Sequence, residues 1–141
     1  MSLTGEFARL LGDLGLGTYT PGAAGGSIYL STLPQTPDAC MAVARYPGAE
    51  ADARLPYDEV NVQVRVRGAA ADAEAVEDRA QAVYDALHGL GGRPLAGGTV
   101  VQDVIGTQSG PIFIGRDTNG RPEWTVNFKA EIRRPTPNRP A

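Results

Sequence analysis

The chain has 141 residues, which suits one domain able to bury its own core. Hydrophobic residues make up 42% and charged residues 21%, and the net charge of −3 gives no strong field for nucleic acid or a membrane surface. The single cysteine excludes an internal disulfide and a cysteine-rich metal site, and no apolar run approaches the ~20 residues that span a bilayer.

The first predicted element is a helix over Ser2–Leu14, because leucine and phenylalanine recur at helical spacing. Ser2 is a plausible N-cap, and the glycines after Leu14 end the helix. A Gly-rich and Pro-containing loop, Tyr19–Gly26, then leads to a short strand over Ser27–Leu30.

Asp38–Tyr46 reads as a central strand, because small or apolar residues occupy both of its faces, and Pro47-Gly48 ends it. Ala49–Asp58 then reads as a polar loop. We expect high mobility in an isolated chain for two long connections, Thr18–Gly26 and Tyr46–Asp58.

The clearest pattern of the chain lies over Val60–Gly68, where four valines alternate with Asn61, Gln63, Arg65 and Arg67. This period of two predicts a strand buried on one side only. A helix follows, with Asp72 as its N-cap and Gly89 among the glycines that end it. Its apolar stripe consists of Val76, Ala80, Val83, Leu87 and Leu90.

Three strands close the domain. A loop over Arg93–Gly98 precedes a strand over Thr99–Thr107. Alternation predicts Val101 and Ile105 on one face of this strand, opposite Val100 and Val104. Pro111–Arg116 and Pro122–Arg133 then form a hairpin, because the Asp117–Gly120 turn contains Asn-Gly, which tolerates positive φ.

These elements predict an α+β fold: a mostly antiparallel sheet of about five or six strands, with two helices packed on one face. We expect a single domain over residues 1–134. The Pro-rich residues 135–141 are expected to be a disordered tail, because proline cannot donate to a sheet ladder.

Reactive groups are few, and an ordinary structural role explains each of them better than catalysis does. Cys40 and His88 fit a nucleophile and a base, but we strongly favour the interpretation as a buried thiol and a cation at a helix C-terminus. Asp72, Glu74 and the next acids of the second helix fit a solvated helix start better than acid–base chemistry. The sequence therefore predicts no enzyme, no metal site and no cofactor.

Two polar surfaces are candidates for contacts with other proteins. One is the polar face of the Val60–Gly68 strand, with Gln63, Arg65 and Arg67, which is either solvated or meets a neighbouring subunit. The other is the hairpin turn with Arg116, Asp117 and Arg121, together with Trp124. These candidate interface residues are Gln63, Arg65, Arg67, Arg116, Asp117 and Arg121.

Three motifs resemble a family of small bacteriophage proteins. They read LPYDEVNVQVRVRG (Leu55–Gly68), AQAVYDALHGL (Ala80–Leu90) and GPIFIGRDTNGRPEWTVNF (Gly110–Phe128). Members of that family are described as minor capsid proteins of siphophages and are similar to tail terminator, or tail completion, proteins. The resemblance covers roughly residues 3–133 in order.

The resemblance implies an α+β subunit that assembles into a ring, usually a hexamer, which caps the tail tube. Such a ring binds the last tube subunits, stops polymerisation and presents a surface to the head-neck connector. It implies a place in the virion tail or neck and in the host cytoplasm during assembly. The implied partners are other copies of the chain, the tail tube protein and the neck connector, with no membrane and no specific nucleic acid.

Two alternatives stay open from the sequence. A head-closure or connector protein of the neck would also form a ring, but it would bind the portal side. A small enzyme or ligand-binding domain would need a polar pocket with a perturbed titratable group, and Cys40 and His88 within hydrogen-bond reach.

Overall fold

A computed structural model describes residues 1–22 and 25–141 of the chain. Part of the predicted Tyr19–Gly26 loop falls on residues 23 and 24, which lie outside the described residues. The elements in chain order are α1 (Leu3–Asp13), β1 (Ile28–Leu30), β2 (Cys40–Pro47), β3 (Tyr57–Arg67), α2 (Ala73–Leu87), β4 (Gly91–Pro94), β5 (Val100–Gly106), β6 (Ile112–Arg116) and β7 (Pro122–Arg133).

Both predicted helices are confirmed, with small differences at their ends. The Ser2 hydroxyl accepts a hydrogen bond from the Gly5 N–H at 2.9 Å, so Ser2 caps α1 as expected. Asp72 occupies the N-cap of α2, but its side chain makes no capping hydrogen bond. Leu90 lies beyond the end of α2 and still packs against the core.

β3 and β7 form the centre of the sheet, pairing antiparallel from Tyr57 with Arg133 to Arg67 with Glu123. β3 therefore begins three residues before the predicted Val60 start, within the segment predicted as a loop. Side-chain alternation could not show this extension, because the polar residues before Val60 continue the strand through backbone pairing with β7.

The described sheet has seven strands in the order β1-β2-β3-β7-β5-β4, and β6 pairs with β7 outside this path. β1 pairs with β2 in parallel, while the other pairs are antiparallel, so the α+β class is confirmed. β2 lies inside the sheet as predicted, although it starts at Cys40 instead of Asp38 and includes Pro47.

β4 is a strand that the sequence prediction missed, because glycine and proline were interpreted as a helix stop and a loop. Its residues pair with β5, with Gly91 opposite Asp103 and Pro94 opposite Val100. An edge strand tolerates proline, since one side of its backbone needs no partner.

A bulge in β5 also corrects the predicted faces of that strand. The pairing with β7 shifts between Val101 and Asp103, so Val101 and Val104 are both buried while Ile105 is exposed. Strict alternation placed Val101 with Ile105, which is wrong because the extra residue moves the rest of the strand to the other face.

A single hydrophobic cluster joins the two helices to the valine face of β3. Phe7 and Leu11 of α1 and Val83 of α2 belong to it, as does Phe128 of β7. The four valines predicted to be buried, Val60, Val62, Val64 and Val66, are buried. Neither described helix combines the length and apolar composition that crossing a membrane requires.

The residues after β7 fold back along the start of β3. The Arg134 N–H donates to the Pro56 carbonyl at 2.8 Å, and Thr136 and Arg139 exchange two backbone hydrogen bonds in a turn. The Arg139 guanidinium donates to the carbonyls of Leu55 and Tyr57 and pairs with the Asp58 carboxylate at 2.9 Å. The proposed disorder of this tail stays a prediction.

Candidate interaction surfaces

The polar side of β3 bears a network of amide side chains. The Gln63 amide donates to the Asn127 side-chain oxygen at 3.0 Å, and the Tyr46 hydroxyl donates to the same oxygen at 3.3 Å. The Asn127 amide in turn donates to Gln108 at 3.3 Å. Gln63 therefore lies among four linked polar side chains from four parts of the chain.

Arg65 and Arg67 lie on the same side of β3 and have opposite environments. The Arg65 side chain is 46% exposed, and its nearest carboxylate, Glu123, is 3.8 Å away. Arg67 is only 3% exposed, so its side chain lies inside the subunit and not on a solvent-facing surface. The sequence prediction that grouped the two arginines as one surface is corrected by this burial.

The Arg67 guanidinium fixes the segment before β2. It donates to the carbonyls of Pro34 at 2.6 Å, Pro37 at 2.8 Å and Asp38 at 3.1 Å. The Arg67 carbonyl accepts a hydrogen bond from Arg79 of α2 at 3.0 Å. Arg67 thus connects segment 34–38, β3 and α2.

The hairpin turn is built around Asp117. Its carboxylate accepts hydrogen bonds from the Asn119 and Arg121 N–H groups, each at 2.9 Å, and from the Arg121 guanidinium at 2.7 Å. Burial alone raises the pKa of the Asp117 carboxyl, but these hydrogen bonds outweigh it and hold the pKa below the ordinary value.

The two arginines of the turn differ in burial: Arg121 lies inside the subunit, and Arg116 lies at its surface. Arg121 is buried, and its guanidinium donates to the Gln35 carbonyl at 2.6 Å. Arg116 is exposed and uses one guanidinium nitrogen to hold the carbonyls of Ala70 and Gly120. Of the predicted turn residues, Arg116 is therefore the most accessible to another protein.

The hairpin carries an apolar strand edge that sequence reasoning did not single out. Ile112, Phe113 and Ile114 of β6 are 38%, 52% and 46% exposed. One side of the Phe113 ring packs on Trp124, with ring centroids 5.4 Å apart. The signal was in the sequence, because three large apolar residues follow one another without the polar alternation of a half-buried strand.

Cys40 and His88 have separate partners. Burial raises the pKa of the Cys40 thiol, and the sulfur lies 3.9 Å from the Asp38 carbonyl that it contacts. His88 accepts a hydrogen bond from the Gly106 N–H at its Nδ1, 2.9 Å away, and stacks on Tyr84. Within residues 1–22 and 25–141, no group of three His, Cys, Asp or Glu residues could hold a metal ion.

Glu6 is a buried carboxylate that the helical pattern of α1 did not distinguish. It accepts hydrogen bonds from the N–H groups of Gly97 and Thr99 and from the Thr99 hydroxyl at 2.7 Å. Glu6 therefore ties α1 to the turn between β4 and β5. This is a structural role, since backbone and hydroxyl donors within the chain satisfy the carboxylate.

Comparison with known proteins identifies the family. A family model described as bacteriophage tail terminator protein matches residues 10–134. No curated protein and no solved structure matches the chain. The match covers the sheet, α2 and the polar surfaces described above, and it confirms the resemblance carried by the sequence motifs. The chain therefore belongs to the bacteriophage tail terminator protein family, a family of structural proteins that complete the phage tail.

Proposed function

We propose that copies of this chain form a ring, a hexamer as the resemblance implies, that caps the tail tube. The ring binds the last tube subunits, stops their polymerisation and presents a surface to the head-neck connector. The observation that carries this proposal is the family match over residues 10–134. The ring forms in the host cytoplasm and remains in the virion.

The polar sheet side supports a role in contacts between proteins. Gln63 and Arg65 lie on the side of the sheet opposite the valine face, which both helices cover. The linked amides around Asn127 hold their side chains in place, so a partner meets an ordered surface and loses less conformational entropy on binding. Arginine is also enriched in protein interfaces.

A tube-assembly experiment tests this function. Purified tube protein is polymerised with and without the chain, and tube lengths are measured by electron microscopy. We expect shorter tubes with the chain bound at one end, and co-sedimentation with tubes but not with capsids or portals. Unchanged tube length with binding to portals would instead support the head-closure alternative.

A pair of variants connects this activity to the polar sheet side. Arg65→Glu reverses an exposed charge on that side, and we expect it to weaken the end-binding of tubes or the assembly of the ring. Glu77→Lys, on the exposed side of α2, is the matched control and should act as wild type. Equal effects of the two variants would argue against a role for the polar side.

A further inference from the structure

The exposed large apolar side chains of the described residues form two groups. One is the β6 edge, consisting of Ile112, Phe113 and Ile114. The other is the β2–β3 corner, with Leu55 and Tyr57 at the start of β3 and Tyr46 near the end of β2, opposite Asn61. Tyr46, Leu55 and Tyr57 are 42%, 55% and 41% exposed. Only Met1 and Ile105 stand apart from both groups among the described residues. Clustering of this kind marks contact surfaces, whereas scattered exposed residues need no explanation.

The β6 edge is less protected than the other outer strands of the described sheet. The edge of β1 carries a bridge from Tyr19, and β4 contains two glycines and Pro94. Within residues 1–22 and 25–141, β6 pairs only with β7, with a bulge between Phe113 and Gly115. Its exposed residues Ile112, Phe113 and Ile114 precede that glycine. An edge strand with exposed apolar residues is a site where another chain pairs or packs.

The two groups lie at opposite corners of the sheet. β6 pairs with the first residues of β7, beside the Arg67 end of β3, whereas Tyr57 lies at the other end of the same ladder. The 11 residues of β3 span roughly 36 Å at about 3.3 Å per residue. The β6 edge also lies beyond β7, while Tyr46 lies on the far side of β3.

The charges around the two groups are opposite. A cavity of about 200 Å³ beside Tyr57 is lined by Glu50, Asp52, Asp58, Glu59 and Glu131. Arg139 pairs with Asp58, which leaves the other four acids of the lining to set its charge. The β6 edge ends in the exposed Arg116. The partly exposed Arg65, 3.8 Å from Glu123, lies across β7 from Ile112. The arginine-bearing corner is therefore complementary to the acidic corner of an identical chain.

We infer that the β6 edge of one copy docks against the β2–β3 corner of the next copy. This inference rests on the proposed ring and names the two surfaces that build it. Because two different surfaces meet, the contact is heterologous, so each copy keeps one free surface for a further neighbour. Surfaces at opposite corners let the copies follow one another around a closed ring.

A mixing experiment tests the heterologous contact. Ile114→Lys disables the β6 edge, and Leu55→Lys disables the β2–β3 corner, since each buries a charge in an apolar contact. Light scattering after size exclusion should show that wild type associates and that each variant alone stays monomeric. An equal mixture should form a dimer and nothing larger, because each variant retains the surface that the other lacks.

One control variant and a second β6 variant accompany the mixing experiment. Ile105→Lys changes an equally exposed isoleucine outside both groups and should associate like wild type. Phe113→Ser is a second β6 variant, and circular dichroism verifies the fold of each variant. The inference is overturned if wild type stays monomeric, if the variants associate like wild type, or if the mixture forms no dimer.

This failure can be told apart from failure of the proposed function. If wild type shortens tubes while the Ile114→Lys and Leu55→Lys variants assemble normally, the ring uses other surfaces and the function stands. If wild type associates through these surfaces but leaves tube length unchanged, the contact stands and the capping function fails.

Discussion

The outer side of β3 has a covered end and an open stretch, although one alternating pattern runs through both. At the covered end, Arg67 is buried beneath segment 34–38, whereas Asn61 and Arg65 retain solvent contact. The difference arises from what lies over the strand. The alternation of polar and apolar residues predicts the side of the strand to which each side chain points. Segments distant in the sequence decide whether that side is exposed to solvent.

Two arginines hold segment 34–38, the cover of this end of β3, in place. Arg67 and Arg121 donate together to the carbonyls of Pro34, Gln35, Pro37 and Asp38. Backbone carbonyls in an irregular segment have no ladder partner, so guanidinium donors satisfy them at the covered end. Among the described residues, no such segment lies over the open stretch, where Gln63 and Asn127 bond to each other and Arg65 stays partly exposed.

The largest expected effect follows from removing the centre of the covered end. Arg67→Ala leaves three carbonyls without their donor and opens a cavity, so we expect the free energy of unfolding to fall by about 3 kcal/mol or more. Urea denaturation measures this change. Arg65→Ala, on the same side and partly exposed, should cost less than about 1 kcal/mol. Equal losses would refute the contrast between the two regions.

The second effect concerns access to Cys40, which pairs with Arg67 at the covered end. Burial raises the pKa of this thiol, so little thiolate forms near neutral pH and alkylation should be slow in the native protein. Arg67→Ala should loosen the cover and speed alkylation by iodoacetamide, followed by mass spectrometry. Fast alkylation of wild type would show that the cover opens readily.

A smaller effect is expected at the start of β3, where the tail docks. Arg139→Ala removes three hydrogen bonds, including the pair with Asp58, and should cost about 1 kcal/mol. Hydrogen exchange should show lost protection at Thr136 and Arg139, with Arg134→Ala as the control. Unprotected tail amides in wild type would instead support the predicted disorder of residues 135–141. In the same data, fast exchange across Tyr46–Asp58 would support the predicted mobility of that connection.

The smallest effect is a pH dependence at the turn that supports the cover. The pKa of Asp117 is lower in the folded protein than its ordinary value of 3.8, so its stabilising contribution is complete above that value. It is lost as pH falls through the lowered folded pKa. Asp117→Asn should therefore flatten the acid limb of stability against pH, measured by urea unfolding. Glu77→Gln controls for removal of one carboxylate, and a matching change there would contradict the assignment to Asp117.

Much of the fold was predictable because local patterns and packing agree. The valine face of β3, the stripe of α2 and the hairpin turn were each predicted from a few residues and are confirmed. β4 and the β5 bulge were missed because pairing with a neighbouring strand decides them, and the residues themselves favour other structures.

The candidate surfaces were predictable only in part, for a related reason. Arg65 and Arg67 have the same residue type and the same side of the strand, so no local signal separates them. Segment 34–38 buries one and not the other. Ile112–Ile114 could have been recognised as an exposed edge, but only with the knowledge that β6 pairs on one side.

The position of β7 also has a consequence for the order in which the molecule forms. Its partners β3, β5 and β6 all precede it, and β3 lies in the middle of the chain. During synthesis, the hairpin of β2 and β3 must wait with one edge unpaired until the last strand leaves the ribosome. Such distant pairing slows folding, because a long loop must close before the contacts that stabilise it exist. A chain that ends before Pro122 would lack the strand that joins the two halves of the sheet.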